Sequence, residues 1–325
     1  MVRSLDGSDP RAIDTAAAML RAGKVVAFPT ETVYGLGADA LNERAVAQVF
    51  AIKNRPRFDP LIVHLPDQEA AQRYVAVLDQ RATALMKRFW PGPLTLVLQK
   101  QPIIPDLVTA GLDTVALRVP AHPVALALLR TVGKPIAAPS ANPFGYVSPT
   151  TALHVQEMLG DAVEIILDGG PCSVGIESTV CALVGGETVI LRPGGVTVEE
   201  IETVVGPVRI ASTSQSDARS PGTLPRHYSP RVPLVLLAPG EEIPHPCWGE
   251  RIGLLTLKSR SEVKGYSTVE ILSKDGNLVE AAANLFAALQ RLDSLGLERV
   301  VVESVPEHGI GRAIMDRLRR ASARN

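Results

Sequence analysis

Ile52-Lys53-Asn54-Arg55-Pro56-Arg57-Phe58-Asp59-Pro60-Leu61 joins a run with helical periodicity to an apolar run, Leu61-Ile62-Val63-His64-Leu65. Pro56 stops the helix, because proline has no N–H and crowds the preceding turn. Pro60 then hands the chain to the apolar run, which reads as a buried strand. Lys53, Arg55 and Arg57 are thereby held on a stiff turn between a helix and a strand. Rigid cations beside a strand end suit an anionic ligand such as a polyphosphate. A solvated charged turn is the plainer reading of the same residues.

Working outward, the alternation continues. Asn42 caps the helix that turns Val46, Val49 and Phe50 inward and ends at Lys53. Asp9-Pro10 opens an earlier helix with the stripe Ile13, Ala16, Ala17 and Leu20, and Gly23 ends it. Residues 24–28 (KVVAF) read as a buried strand. Strand-like runs at 61–65, 94–99, 115–119, 135–138 and 163–168 sit among helical patterns at 67–76, 79–89, 122–131 and 150–159. This order predicts an α/β fold, a sheet covered by helices. Residues 178–184 and 187–192 flank Gly185-Gly186 as a two-residue hairpin, so the sheet is expected to be mixed, and a short helix follows at 198–205.

Residues 211–231 lose apolar periodicity and fill with Ser, Thr, Pro and Gly, the composition of a linker. They nevertheless carry Arg226-His227-Tyr228, unusual in a passive spacer. Beyond them, strands at 233–237, 251–257, 268–272 and 299–303 and helices at 277–295 and 310–322 predict a smaller Rossmann-like α/β domain. Its first strand has no Gly-rich phosphate fingerprint, so no dinucleotide is expected there. The expected division is a catalytic domain over 1–210, a linker over 211–231 and a C-terminal domain over 232–325.

With 325 residues, 46% hydrophobic and 21% charged, the chain supports two domains with sizeable cores. A formal net charge of -1 means that any basic patch is local. Cys172, Cys181 and Cys247 are too few for a disulfide framework, and no CxxC or HExxH suggests structural zinc. Buried reduced thiols are expected. Neither a signal core nor a membrane-length apolar run is found, so a cytoplasmic location is expected.

Three further segments look built for chemistry. Phe28-Pro29-Thr30-Glu31-Thr32-Val33-Tyr34-Gly35-Leu36-Gly37 leaves a strand with hydroxyls and two glycines suited to close backbone approach. Its match to G-x-G-x-x-A is superficial, because no helix starts at Gly37. Residues 138–150 (APSANPFGYVSPT) form a proline-stiffened loop offering hydroxyl, amide and backbone donors, or else an ordinary capped strand-to-helix loop. Residues 168–179 (DGGPCSVGIEST) leave another strand end, and Arg192 closes the hairpin. Arg118 lies inside a strand, where a charge needs a partner; a buried salt bridge explains it as well as a ligand carboxylate does. His64 reads first as a structural histidine. No Ser-His-Asp order or Cys-His pair suggests a covalent nucleophile. Hydroxyls, an asparagine and the cations Lys53, Arg55, Arg118 and Arg192 at strand ends favour phosphoryl or nucleotidyl transfer by positioning and charge neutralisation.

PTETVYGLG (29–37), KNRP…PLIVH (53–64), WPGPLTLVL (90–98), APSAN…SPT (138–150), DGGPCSVGIESTV (168–180), LRPG (191–194), SPGTLPRHYSP (220–230) and AIMDRL (313–318) occur in order over nearly the whole chain. Together they resemble the YrdC-like threonylcarbamoyl-AMP synthases in their long, two-domain form. The resemblance implies a YrdC-like twisted mixed sheet with a deep basic cleft, followed by the Rossmann-like domain. It implies a nucleotidyltransferase that joins L-threonine, bicarbonate and ATP into threonylcarbamoyl-AMP and pyrophosphate, the first step of threonylcarbamoyl-adenosine formation in tRNA. Carried over residue by residue, Lys53 and Arg55 are catalytic and face the triphosphate, with Asp59, Thr114, Asn142, Ser148, Thr150, Arg192, His227 and Tyr228 about the nucleotide. Thr32, His64, Arg118, Ser140 and Ser178 form the threonine pocket, Arg118 pairing the threonine carboxylate. Magnesium is expected with ATP, held mainly by phosphates and water. A tRNA threonylcarbamoyl transferase machinery lies downstream; tRNA contact is not required, and no membrane is involved. The linker departs from the family pattern at Leu224-Pro225, which makes the Tyr228 contact less secure, and Asp316 stands where Asn is common. An RNA-binding module and carbamoyl transfer from carbamoyl phosphate are the competing readings. Aromatic content of 4% weighs against the first, and the absence of accessory zinc or acylphosphatase segments against the second.

Overall fold

The computed structural model describes residues 2–183, 185–211, 227–246, 249–260 and 264–323. The chain opens with β1 (Arg3–Asp6), α1 (Pro10–Arg21), β2 (Val26–Phe28), β3 (Gly35–Asp39) and α2 (Glu43–Lys53). It continues through β4 (Ile62–His64), α3 (Gln80–Phe89), β5 (Leu94–Gln99), α4 (Asp106–Thr109), β6 (Thr114–Arg118) and α5 (Pro123–Val132). Then come β7 (Ile136–Ala137), α6 (Ala152–Leu159), β8 (Ile165–Asp168), β9 (Thr179–Ala182), β10 (Val189–Arg192), α7 (Val198–Val205) and β11 (Arg209–Ile210). The strands form one mixed sheet in the order β1-β8-β2-β3-β7-β4-β6-β5-β9-β10-β11. A second sheet holds β12 (Leu234–Leu236), β13 (Ile252–Thr256), β14 (Thr268–Ile271) and β15 (Arg299–Val302), with α8 (Leu278–Ser294) and α9 (Gly311–Ser322) packed on it. Its order, β12-β15-β13-β14, is parallel throughout.

Strand alternation sorts the large sheet into two faces. Val63, Leu96, Leu98, Leu117, Cys181 and Ile190 point into the main core, which Leu85 of α3 and Ile201 of α7 close. Ile62, Val97, Ala116, Val180 and Ala182 point to the opposite face. There is no clean break between the two sheets' cores: Val33, Val147 and Ile176 share one apolar cluster with Tyr228, Phe286, Leu289 and Ile314.

The caps are as the residues demand. Asp9 and Asn42 accept backbone N–H groups at the starts of α1 and α2. Four expectations need correction. α2 is ended by Asn54 in the left-handed region (φ 52), before Pro56 is reached. Gly35 and Gly37 belong to β3, and a Cβ at Gly37 would meet the Phe28 ring at 2.7 Å and Ile136 at 2.8 Å, so the smallness of Gly37 serves sheet packing rather than a ligand. The segment at 67–76 supports only a 3-10 turn, Glu69–Arg73, because Val75 is drawn into a bridge with Lys100. The last pair of the β9–β10 ladder is Ala182 with Val189, so the connection is longer than a two-residue turn. β1 and β11, both short edge strands, were not foreseen. Among the described residues no helix is long and apolar enough to cross a membrane. Cys172 and Cys181 are buried free thiols that burial pushes upward, Cys181 to about 12; Cys247 lies outside the described residues.

Candidate active site

Ile62 and His64 are two residues apart on β4 and so share a face; both line a cavity of about 50 Å³. The cavity therefore lies on the second face of the sheet, and not only at strand ends as the loops suggested. Thr30, Thr32 and Val33 reach it from the segment between β2 and β3, Gly35 from the start of β3 and Arg118 from the end of β6. Ala138, Pro139 and Ser140 follow β7, Glu177 and Ser178 precede β9, and Arg192 ends β10. Arg55, His227 and Tyr228 complete the wall.

The threonine-pocket residues expected from the sequence, Thr32, His64, Arg118, Ser140 and Ser178, thus converge. Arg118 is buried, and each of its nitrogens has an acceptor: Nη2 donates to Glu31 Oε1 at 2.6 Å, Nη1 to Thr32 Oγ1 at 2.8 Å and Nε to the Gly92 carbonyl at 3.2 Å, three of the five N–H groups of a guanidinium. The salt bridge considered for Arg118 exists, and the guanidinium still faces the cavity. Glu31 Oε2 and His64 Nδ1 are buried without a hydrogen-bond partner. Burial, with Arg118 beside it, holds His64 down at about 3, so its imidazole is neutral. Ser178 Oγ meets Thr95 Oγ1 at 2.8 Å, and Arg192 Nη2 donates to the Ser178 carbonyl at 3.0 Å.

Of the expected nucleotide residues, Arg55, Arg192, His227 and Tyr228 face the cavity, whereas Lys53, Asp59, Thr114, Asn142, Ser148 and Thr150 lie outside its lining. Lys53 is buried, and its Nζ donates to the carbonyls of Ser140 and Asn142, each at 2.5 Å, and to Asn142 Oδ1 at 3.2 Å. Three acceptors match the three donors of an ammonium. Burial, then Arg55, push Lys53 well below its ordinary value. Lys53 therefore shapes the 140–142 loop from behind. Arg55 pairs with Asp59 at 2.8 Å, donates to the carbonyls of Asp59 and Pro60, and lies over the Phe144 ring. Burial pushes Asp59 up, with Arg55, Lys53 and Arg192 pulling the other way. Ser148 Oγ donates to Glu177 Oε1 at 2.6 Å, Thr150 meets His154, and Thr114 begins β6 opposite Gln99.

His227 and Tyr228 are the described end of the linker; residues 212–226 lie outside the described residues. Both are buried. Their rings lie 4.1 Å apart, Phe144 is edge-on to His227, and Tyr228 stacks on Phe286 of α8 at 5.5 Å. Tyr228 takes φ 63, a left-handed conformation that costs a non-glycine residue about 1–2 kcal/mol. Burial and the nearby Arg55, Lys53, Arg192 and Arg317 hold His227 neutral, well below its ordinary value. Among the described residues Tyr228 Oη and His227 Nδ1 have no hydrogen-bond partner. With these rings in place the cavity is far below the ~300 Å³ at which pockets for larger ligands begin.

Sequence reading named neither Thr30, Glu31 and Glu177 nor Arg317 as functional. The first three stand inside segments already singled out, but nothing local says that Glu31 meets Arg118 or that Glu177 meets Arg317. Among the described residues no three His, Cys, Asp or Glu side chains converge as metal ligands.

Comparison with known proteins follows the same outline. A family model described as "Telomere recombination" matches residues 18–194, and one for the threonylcarbamoyl-AMP synthase C-terminal domain matches residues 196–323. The threonylcarbamoyl-AMP synthase of Pyrococcus abyssi is 44% identical over 95% of this chain and 94% of its own, and that of Bacillus subtilis 44% identical over 98% and 94%. The crystal structure of P. abyssi Sua5 complexed with L-threonine superposes with a TM-score of 0.89 at 42% identity, covering 97% of this chain and 95% of that one. E. coli YciO, at 26% identity and a TM-score of 0.54, matches 60% of this chain and 96% of its own. The chain belongs to the threonylcarbamoyl-AMP synthase family, in its two-domain form with a YrdC-like sheet.

Proposed function

We propose that the chain is an L-threonylcarbamoyladenylate synthase, a nucleotidyltransferase that converts L-threonine, bicarbonate and ATP into threonylcarbamoyl-AMP and pyrophosphate. Beyond the whole-length relationship, the observation that carries the reading is Arg118, a buried guanidinium facing a small cavity beside Thr32, His64, Ser140 and Ser178. A carboxylate–guanidinium pair fixes one end of an amino acid, and the short hydroxyls suit a small polar side chain. The amine then condenses with bicarbonate, losing water, to give a carbamate. A carbamate oxygen attacks the α-phosphorus, the α–β bridging bond breaks and its electron pair leaves on pyrophosphate. Both reactants are anionic, so Arg55 and Arg192 lower the barrier by offsetting their repulsion. The neutral His64 accepts or donates a hydrogen bond without adding charge.

Lys53, Asn142, Ser148, Thr150, Thr114 and Asp59 support the nucleotide side, Lys53 and Asp59 through the loop and guanidinium that they hold. Magnesium arrives on the ATP phosphates, since the described residues offer no ligand cluster of their own. Residues 211–231 act as a lid whose His227–Tyr228 end withdraws to admit the nucleotide. The product would pass to a transferase acting on tRNA in the cytoplasm. The arginines near the cavity are buried and engaged, which disfavours an RNA-binding surface.

Pyrophosphate release measured with threonine and bicarbonate omitted in turn tests this. Release is expected only with both present; release indifferent to either one overturns the assignment.

A further inference from the structure

Arg317, a side chain of the C-terminal unit, bonds directly to Glu177 of the cavity wall. Arg317 stands on α9 among Ile314, Met315 and Leu318 and is wholly buried, a position that a charge occupies only with partners. Its Nε donates to Glu177 Oε2 at 2.9 Å, and Nη1 donates to the Pro193 carbonyl at 2.9 Å and to Asp316 Oδ2 at 2.7 Å. Among the described residues Nη2 has no hydrogen-bond acceptor; the guanidinium carbon lies 5.2 Å from the centre of the Tyr228 ring. An arginine over a desolvated aromatic face is held by the ring's quadrupole.

The partners that are not on α9 belong to the site or adjoin it. Glu177 lines the cavity and accepts from Ser148 with its other oxygen. Pro193 follows Arg192, and Tyr228 lines the cavity. One turn along α9, the Arg320 carbonyl accepts the His227 N–H at 3.4 Å. Burial opposes charge on Arg317, but Tyr228, Glu177 and Asp316 outweigh it and raise its pKa further, so the cation is permanent. Helix docking alone does not require this arrangement, because apolar residues of similar volume commonly replace a buried ion pair without loss of stability.

We infer that Arg317 is a positioning residue for the nucleotide half of the reaction, through which the C-terminal unit sets the carboxylate of Glu177 and the ring of Tyr228. The inference rests on the assignment of the Tyr228 and Ser148 side to ATP. Among the described residues Arg118, on the threonine side, donates to Glu31, Thr32 and Gly92 and shares no acceptor with Arg317. The two halves of the cavity are therefore separable by kinetics.

The test uses the full chain with Arg317→Met, Arg317→Lys and Glu177→Gln, varying ATP and threonine separately in the pyrophosphate assay. The Met variant is expected to raise KM for ATP about tenfold, the order expected for losing one charge-assisted contact, while KM for threonine stays within about twofold. Glu177→Gln gives the same ATP-side signature, and Arg317→Lys recovers part of the loss. Equal changes in both KM values, or none in either, overturn the inference. If the Met variant does not fold, the Lys and Gln variants decide by the same criterion. Titration of each variant with a non-hydrolysable ATP analogue keeps the inference apart from the catalytic assignment: wild-type pyrophosphate release that ignores threonine sinks that assignment, whereas unchanged analogue affinity in all three variants sinks this one.

Discussion

The two ends of the cavity are built differently. At the Arg118 end, the guanidinium sits on a regular strand, and each of its nitrogens has an acceptor from the same sheet unit. At the Tyr228 end, the wall is the end of the linker, backed by Phe286 of α8 and Arg317 of α9, and Tyr228 takes a left-handed backbone. Among the described residues, Tyr228 Oη, His227 Nδ1 and Arg317 Nη2 are buried there without hydrogen-bond partners, and Glu31 Oε2 and His64 Nδ1 are so at the Arg118 end. The difference lies in the backbone and the cation: Arg118 is held by three hydrogen bonds on a regular strand, which preorganises it, whereas the strained backbone at Tyr228 marks a wall held in place at a cost. The contrast fits a threonine pocket ready before binding and a nucleotide side that must rearrange.

Removing the guanidinium of Arg118 gives the largest expected effect. Arg118→Ala leaves Glu31 buried without its cation and costs about 3–5 kcal/mol of stability. If the variant folds, kcat/KM for threonine falls by about 100-fold or more, as for a lost charge-assisted carboxylate contact, with ATP affinity little changed. Denaturant titration and the pyrophosphate assay check both; a threonine kcat/KM within a fewfold of wild type breaks the preorganised half of the comparison.

Phe286→Ala strikes the other end. Deleting the ring on which Tyr228 stacks costs about 3–4 kcal/mol. It is expected to loosen the His227–Tyr228 segment before the strands, seen as faster amide exchange confined to residues near 227–229. Uniform loss of protection across the β4–β6 region would mean that the two ends are one cooperative unit.

Acidification probes a property that both ends share. His64 is held near 3 and His227 well below its ordinary 6.5, so the fold keeps both neutral while the unfolded chain protonates them near 6.5. The unfolded state then binds more protons, and stability falls as pH drops from about 6.5 toward the folded values, by up to about 1.4 kcal/mol per pH unit for each histidine. Unfolding free energies at several pH values should show a shallower slope in His64→Gln and in His227→Gln. An unchanged slope in both would mean that neither ring is held neutral.

The smallest effect is expected for Tyr228→Phe. Its hydroxyl has no partner in the closed arrangement, so stability should stay within about 1 kcal/mol of wild type or rise slightly. A clear destabilisation in thermal unfolding would reveal a partner for the hydroxyl and weaken the contrast between the ends.

Much of this was legible in the chain. The caps Asp9 and Asn42, the helix ending at Lys53 and the alternation that puts Ile62 and His64 on one face depend on neighbours within a few residues, which is why sequence determines them. The motifs also singled out every segment that supplies a cavity residue except β6, whose Arg118 stood out as a charge inside a strand. The order of strands, however, and the companions of the buried charges needed the assembled fold. Gly37 read as a ligand-facing glycine until the Phe28 ring was found against it. Lys53 read as a free cation until three carbonyl oxygens from the 140–142 loop were found around it. Glu177 and Arg317 stand 140 residues apart, and no local pattern couples them. Sequence therefore settled the longer helices, the strand faces and the chemical inventory, because short-range sterics and periodicity fix these. Tertiary structure alone decided which charges are neutralised by one another and which face the cavity, because burial makes each charge's role depend on partners that only long-range packing brings near.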